Sequence, residues 1–156
     1  MKDFEDAMLE VAWNNLDTVI KRFYSLDNKS AGIITISGIF FSLLEGIGNG
    51  ENLISNVLFL VTGISFIVTI ILAILALRTM EIGDVSTNNL LKELNNDDEK
   101  EKIMRIVATM GNAEDLWRER STKKAAKIGM AIYALGLSVL LMIATILSQA
   151  DLTFIL

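Results

Sequence analysis

The side chains able to do chemistry are few in kind. There is no His and no Cys, which excludes imidazole acid–base work, thiol nucleophiles, disulfides and Cys/His metal sites. Carboxylates and amines remain. The run Asp97, Asp98, Glu99 and Glu101 has the ligand type for a divalent cation, but negative charge at a helix start is favoured by the backbone dipole alone. No G-x-x-x-x-G-K-[ST] or G-x-G-x-x-G pattern occurs, and Gly46, Gly48 and Gly50 read as a turn rather than a phosphate cradle. The uncharged segments hold neither paired Asp residues nor a Ser/His pair, as intramembrane proteolysis would require. The reading is a non-enzymatic chain with no catalytic, cofactor-binding or metal-binding residues. Its net charge of −5 also makes it a poor duplex nucleic-acid binder.

The apolar residues, 52% of the chain, are gathered into long uncharged blocks. A helix crossing hydrocarbon needs about 20 apolar residues. Leu53–Leu77 is uncharged and ends at Arg78; Ile128–Ala150 is uncharged and follows Lys123, Lys124 and Lys127. Neither has the charged stripe of a soluble amphipathic helix. Ser30–Leu44 is shorter, and extending it to Ile47 or Gly48 brings it close to bilayer thickness at about 1.5 Å per residue. Glu45 then falls near the interface, whereas a carboxylate at the bilayer centre costs about 2.5–3.5 kcal/mol. Residues 30–77 therefore read as a transmembrane hairpin with an exterior turn at 48–52, and 128–150 as a third transmembrane helix.

All 14 basic residues lie in 2–29 or 78–127; none lies in 30–77 or 128–156. By the positive-inside rule, residues 1–29 and 78–127 are cytoplasmic and the tail 151–156 is exterior. Asp3, Glu5 and Asp6 are unlike the basic start of a secretory signal, so the first span is expected to persist as an anchor.

The cytoplasmic parts read as helical. Phe4, Met8, Ala12, Leu16, Val19, Phe23 and Leu26 recur at three or four, opposite Asp3, Asp6, Glu10, Asn14, Asp17 and Lys21. The acidic face argues for packing against other helices over lying on the membrane. Ser86-Thr87 predicts a cap for a helix through Leu94, and Asn95–Asp98 a break and new start. Gly111-Asn112 predicts a stop, with a restart at Ala113 that runs into the last span. The expected fold is all-α: an integral membrane protein with three transmembrane helices and a small helical cytoplasmic bundle.

Small residues let membrane helices approach closely. Ala31, Thr35, Gly38, Ser42 and Gly46 share one face of the first span, Thr62, Ser65, Thr69, Ala73 and Ala76 one face of the second, and Gly129 and Gly136 lie with Ile132 and Tyr133 on the third. Gly38, Ser42 and Gly46 are thus a candidate helix-packing seam, joining either the three spans or neighbouring protomers. A ring of Glu45 at a pore mouth would favour cations; the alternative is an exposed interfacial carboxylate. Asp27, Asn28 and Lys29 either cap the first span or pair with the middle region and hold the bundle closed.

The string Leu26-Asp27-Asn28-Lys29-Ser30-Ala31-Gly32-Ile33-Ile34-Thr35, opening a membrane hairpin, with a Lys-rich approach to the last span (Lys123, Lys124 or Lys127), resembles the membrane module of Pycsar-type effectors and related small prokaryotic SLATT-like proteins. Asp27 and Lys29 match the motif that opens the first helix there. The resemblance implies a homo-oligomeric effector of antiviral defence in the inner membrane. A cyclic-nucleotide signal would trigger it to impair that membrane, received by the 79–124 helices or by a cytoplasmic sensor protein. The alternatives are a structural or adaptor subunit and a holin-like toxin. With no native Cys, single cysteines at Lys2→Cys and Leu156→Cys should react with impermeant maleimide from opposite sides of the membrane; labelling from one side would refute the three-span arrangement.

Overall fold

The structure is a computed structural model that describes residues 2–47, 53–78 and 99–153. The expected turn at 48–52, the expected helix from Ser86-Thr87 to Leu94, the Asn95–Asp98 break and residues 154–156 lie outside the described residues. Three helices make up almost all of the rest: α1 (Lys2–Ile47), α2 (Leu53–Leu77) and α3 (Glu99–Thr153). Each contains a segment long and apolar enough to cross a membrane, with mean hydropathies of 1.6, 2.8 and 2.4 in their most apolar stretches.

Two local expectations fail, for one reason. Asp27, Asn28 and Lys29 do not cap a new helix, because α1 runs through them without interruption. Gly111-Asn112 does not stop a helix either, because α3 is continuous from Glu99. A mid-helix Gly costs only about 1 kcal/mol relative to Ala, and a Pro, which would break the ladder outright, occurs nowhere in the chain. Weak stop signals therefore lose to an unbroken hydrogen-bond ladder. α3 begins right after the Asn95–Asp98 segment, and its helix continues past Ala150 to Thr153.

The chain divides into two compact units. In the first, residues 1–25 and 79–122, the apolar stripe of α1 does what its spacing predicts in its later half: Val19 and Phe23 are buried. The Phe23 ring meets Trp117 of α3 edge-on, with centroids 5.0 Å apart at 83°, the arrangement favoured by aromatic quadrupoles. Earlier on the stripe, Phe4 and Met8 remain exposed. Along the surface, Asp17 pairs with Lys21, Glu101 with Arg105 and Glu114 with Arg118, each four residues apart, worth only about 0.3–0.5 kcal/mol apiece.

The second unit, residues 26–78 and 123–156, has its contrast reversed. Leu53, Ile54, Leu60, Ile64, Tyr133 and Leu140 point outward, whereas Ser30, Ser37, Ser55, Thr62, Thr69, Ser138 and Thr145 are fully or almost fully buried. Water-soluble monomers rarely expose apolar patches beyond a few hundred Å²; lipid accepts such a sheath. The inward positions follow a strict 4–3 alternation. On α1 they are Leu26, Ser30, Ile33, Ser37, Phe40, Leu44 and Ile47; on α2 Thr62, Phe66, Thr69, Ala73 and Ala76; on α3 Lys124, Ile128, Ala131, Leu135, Ser138, Met142 and Thr145. This is the heptad spacing that lets helices stay in contact over many turns. Apolar residues make two clusters along it, one around Leu26, Ile33, Ala73, Ala76, Ile128 and Ala131, the other around Leu44, Phe66 and Met142.

Gly111 has open space around the site of an added Cβ. Gly111→Ala should therefore raise the thermal stability of the detergent-solubilised protein by about 0.5–1 kcal/mol. A left-handed helix stop at Gly111 would give a loss instead, so the sign of the shift in a melt decides between the two.

Candidate functional site

Polar side chains inside an apolar sheath have only the facing helices as partners, and the second unit brings them together in two places. One is a charge pair. Asp27 lies on the inward face of α1, and its Oδ1 accepts a hydrogen bond from Lys124 Nζ of α3. Lys124 is almost completely buried, with 6% of its side chain exposed against 25% for Asp27. Lys29, two residues on and so about 200° around the helix, is exposed. The two charges of the first-span motif thus part company, Asp27 turning in and Lys29 out. Pairing with the middle region, weighed above as an alternative to capping, is the arrangement Asp27 adopts.

The other place is a column of hydroxyls between α2 and α3. Ser55 Oγ lies 2.9 Å from Ser148 Oγ, Thr62 Oγ1 3.1 Å from Thr145 Oγ1, and Ser138 Oγ 2.7 Å from Ser65 Oγ and 3.3 Å from Thr69 Oγ1. Partner numbers fall on one helix as they rise on the other, so the two helices are antiparallel. Most of these hydroxyls can also donate to a carbonyl one turn back: Thr62 to Leu58, Thr69 to Ser65, Ser138 to Ala134 and Thr145 to Leu141. Each hydroxyl has a single proton, so in the Thr62–Thr145 and Thr69–Ser138 pairs one partner donates across the helices while the other donates to its own backbone and accepts. On α1 the pattern differs. Ser30 and Ser37 are fully buried, yet neither hydroxyl has a partner.

Magnitudes say what this column is worth. Interhelical hydroxyl bonds in membrane bundles average about 0.6 kcal/mol, while an unsatisfied buried hydroxyl costs about 1–3 kcal/mol. Two orphans offset all the paired hydroxyls. The column sets register between α2 and α3, but it adds little to the cohesion of the three helices, which falls to Leu26, Ile33, Leu44, Phe66 and Met142.

The three small-residue stripes do not share one fate. The α2 stripe faces inward, with Thr62, Thr69, Ala73 and Ala76 buried. On α1, Ala31, Thr35, Gly38, Ser42 and Gly46 are all exposed, and open space surrounds both Gly38 and Gly46. Within one chain the seam of α1 is thus Leu26-Ser30-Ile33-Ser37-Phe40-Leu44-Ile47, and Gly38, Ser42 and Gly46 turn away from it. The reason is volume: Ile33, Phe40 and Leu44 fill the space between three helices, which a Gly/Ser face would leave empty. On α3, Gly136, Ile132 and Tyr133 also face outward. Glu45 is exposed, at the side of a groove between α1 and α2 that includes Phe41, Phe59 and Gly63. Of the acidic run beginning at Asp97, Glu101 forms its ion pair with Arg105, and Asp97 and Asp98 lie outside the described residues.

The site missed by residue type was the seam itself. Its signal is the unbroken 4–3 alternation from Leu26 to Ile47, legible only when Ser is allowed to count as an inward residue.

Fold and site together define an all-helical protein with three helices long and apolar enough to span a membrane, whose packed interior mixes apolar clusters with buried hydroxyls, compatible with a multi-pass membrane protein. No family model, curated protein or solved structure matches the chain.

Removing Lys124 takes the ion-pair partner from Asp27. Lys124→Ala should destabilise the solubilised protein by about 3 kcal/mol, the low end for a buried pair because Asp27 keeps some solvent contact. The double variant Asp27→Leu/Lys124→Met should recover most of that loss in a thermal melt. A double variant as unstable as the single one would show that the pair is not coupled.

Proposed function

We propose that the chain is a non-enzymatic effector of the prokaryotic inner membrane. Its N-terminus is cytoplasmic and its C-terminus exterior; it oligomerises and impairs membrane integrity when a cyclic-nucleotide signal arises during phage infection. The observation that carries this reading is the hydroxyl column hidden behind an apolar sheath, with Ser30 and Ser37 buried and unpartnered. In a bundle kept only for anchoring the column would add register but little cohesion, since the cost of the unpartnered Ser30 and Ser37 on α1 offsets its pairing energy. A bundle that opens gains a polar lining for water and ions. Three helices alone are too few to enclose a water path, so the open form is an oligomer. The outward Gly38/Ser42/Gly46 face is suited to close contact between copies. The antiviral role rests on the resemblance of the Leu26–Thr35 string to Pycsar-type and SLATT-like modules. The Asp27–Lys124 contact supports it, since it links the aspartate of that motif to a lysine preceding the last span.

A second reading, an adaptor subunit, is favoured by one observation. In the first unit a hollow of about 400 Å³ lies between α1 and α3, bordered by Phe4, Met8, Val11, Val107 and Glu114, with Phe4, Met8 and Val11 exposed. That is the profile of a surface that docks a helix from a partner.

Induced expression in bacteria, followed with a membrane-potential dye, tests the first reading. Depolarisation is expected when a cyclic-nucleotide trigger is supplied, and it should be reduced in the isosteric variant Thr62→Val/Thr69→Val/Thr145→Val, which keeps the volume of the seam and removes its three threonine hydroxyls. Unchanged potential and growth with and without the trigger would refute it. Depolarisation on expression alone would assign a holin-like toxin. A stoichiometric heteromer without liposome conductance would assign the adaptor.

A further inference from the structure

The groove beside Glu45 has the makings of a ligand site in its own right. Phe41, Glu45, Phe59, Leu60, Gly63 and Ile67 border a volume of about 350 Å³ between α1 and α2. Its floor is open because residue 63 is glycine: an added Cβ there would sit 3.9 Å from Leu44 Cδ2 and Phe41 Cε2, in ordinary contact, and any longer side chain would occupy the hollow. Apart from Glu45 the surroundings are apolar. An exposed carboxylate beside an apolar slot asks for one molecule with an N–H-bearing cation at one end and hydrocarbon at the other.

A second copy of this chain does not meet that requirement. Residues 30–77 and 128–156 hold no Lys or Arg at all, so a neighbour inserted in the same orientation brings no cation to the level of Glu45. Lipid does. We infer that the groove binds a phospholipid with a primary-amine headgroup: the ammonium pairs with Glu45, while an acyl chain lies along Phe41, Phe59, Gly63 and Ile67. The site needs only that α1 and α2 lie in a bilayer; it does not depend on the effector role.

Native mass spectrometry of the full chain, released from nanodiscs of defined composition, tests this. Phosphatidylethanolamine should be retained over phosphatidylglycerol by about two- to fivefold, the factor an interfacial ion pair supports. Phosphatidylcholine, whose quaternary ammonium carries positive charge but no N–H, should be retained less well than phosphatidylethanolamine. Glu45→Gln, a change at an exposed position, should remove the preference over phosphatidylglycerol, and Glu45→Asp should keep part of it. Gly63→Leu should lower retention of every lipid. Equal retention of the three lipids, a preference unchanged in Glu45→Gln, or a dimer that Gly63→Leu dissociates without any loss of lipid would each overturn the assignment. Failure of the chain to enter nanodiscs would overturn it too, and would overturn the membrane reading with it.

Discussion

A hydroxyl or a charge enclosed by hydrocarbon has no water to fall back on, and every partner it finds must come from the same few helices. That constraint organises the second unit. The threonines and serines of α2 and α3 face each other across the helix pair, each giving its single proton either to the opposite hydroxyl or to its own backbone one turn earlier. Because each pairing works at one vertical offset only, the column fixes how far α3 has slid along α2. Asp27 and Lys124 do the same between α1 and α3, with the larger penalty for failure that charge brings.

Cohesion and register are therefore supplied by different residues. Leu44, Phe66 and Met142 close one end of the interior, while Leu26, Ile33 and Ile128 close the other. In a lipid surrounding there is no hydrophobic drive to bring these helices together, so their contacts act through close packing. The hydroxyls between them contribute specificity at nearly zero net energy. The hydroxyls thus select one arrangement while adding little to its stability.

The outer surface divides as well. Two small-residue faces, on α1 and α3, look away from the chain's own interior, and one groove between α1 and α2 has a carboxylate beside it. In the proposed membrane setting their neighbours would be other copies and lipid. The charge pattern separates the two: a face without charge suits a second copy, while Glu45 needs a cation that no copy carries at that depth.

Much of this was open to reading from residues alone. Three uncharged blocks and the confinement of every Lys and Arg to 2–29 and 78–127 were enough to predict three long apolar helices, because the cost of burying charge in hydrocarbon is large and acts on each residue separately. The helix continuity through Asn28 and Gly111 was misjudged, since local stop signals of about 1 kcal/mol were weighed without the ladder that overrides them. The small-residue face of α2 marked its inward side, but which face of α1 and α3 turns inward was beyond reach by polarity. In segments apolar all round, inward and outward residues differ little in hydrophobicity, and the choice falls to how volumes fit among three helices at once. Tertiary packing alone put Ser30 and Ser37 inside and Gly38 and Ser42 outside, and it alone selected Lys124 from three neighbouring lysines as the partner of Asp27.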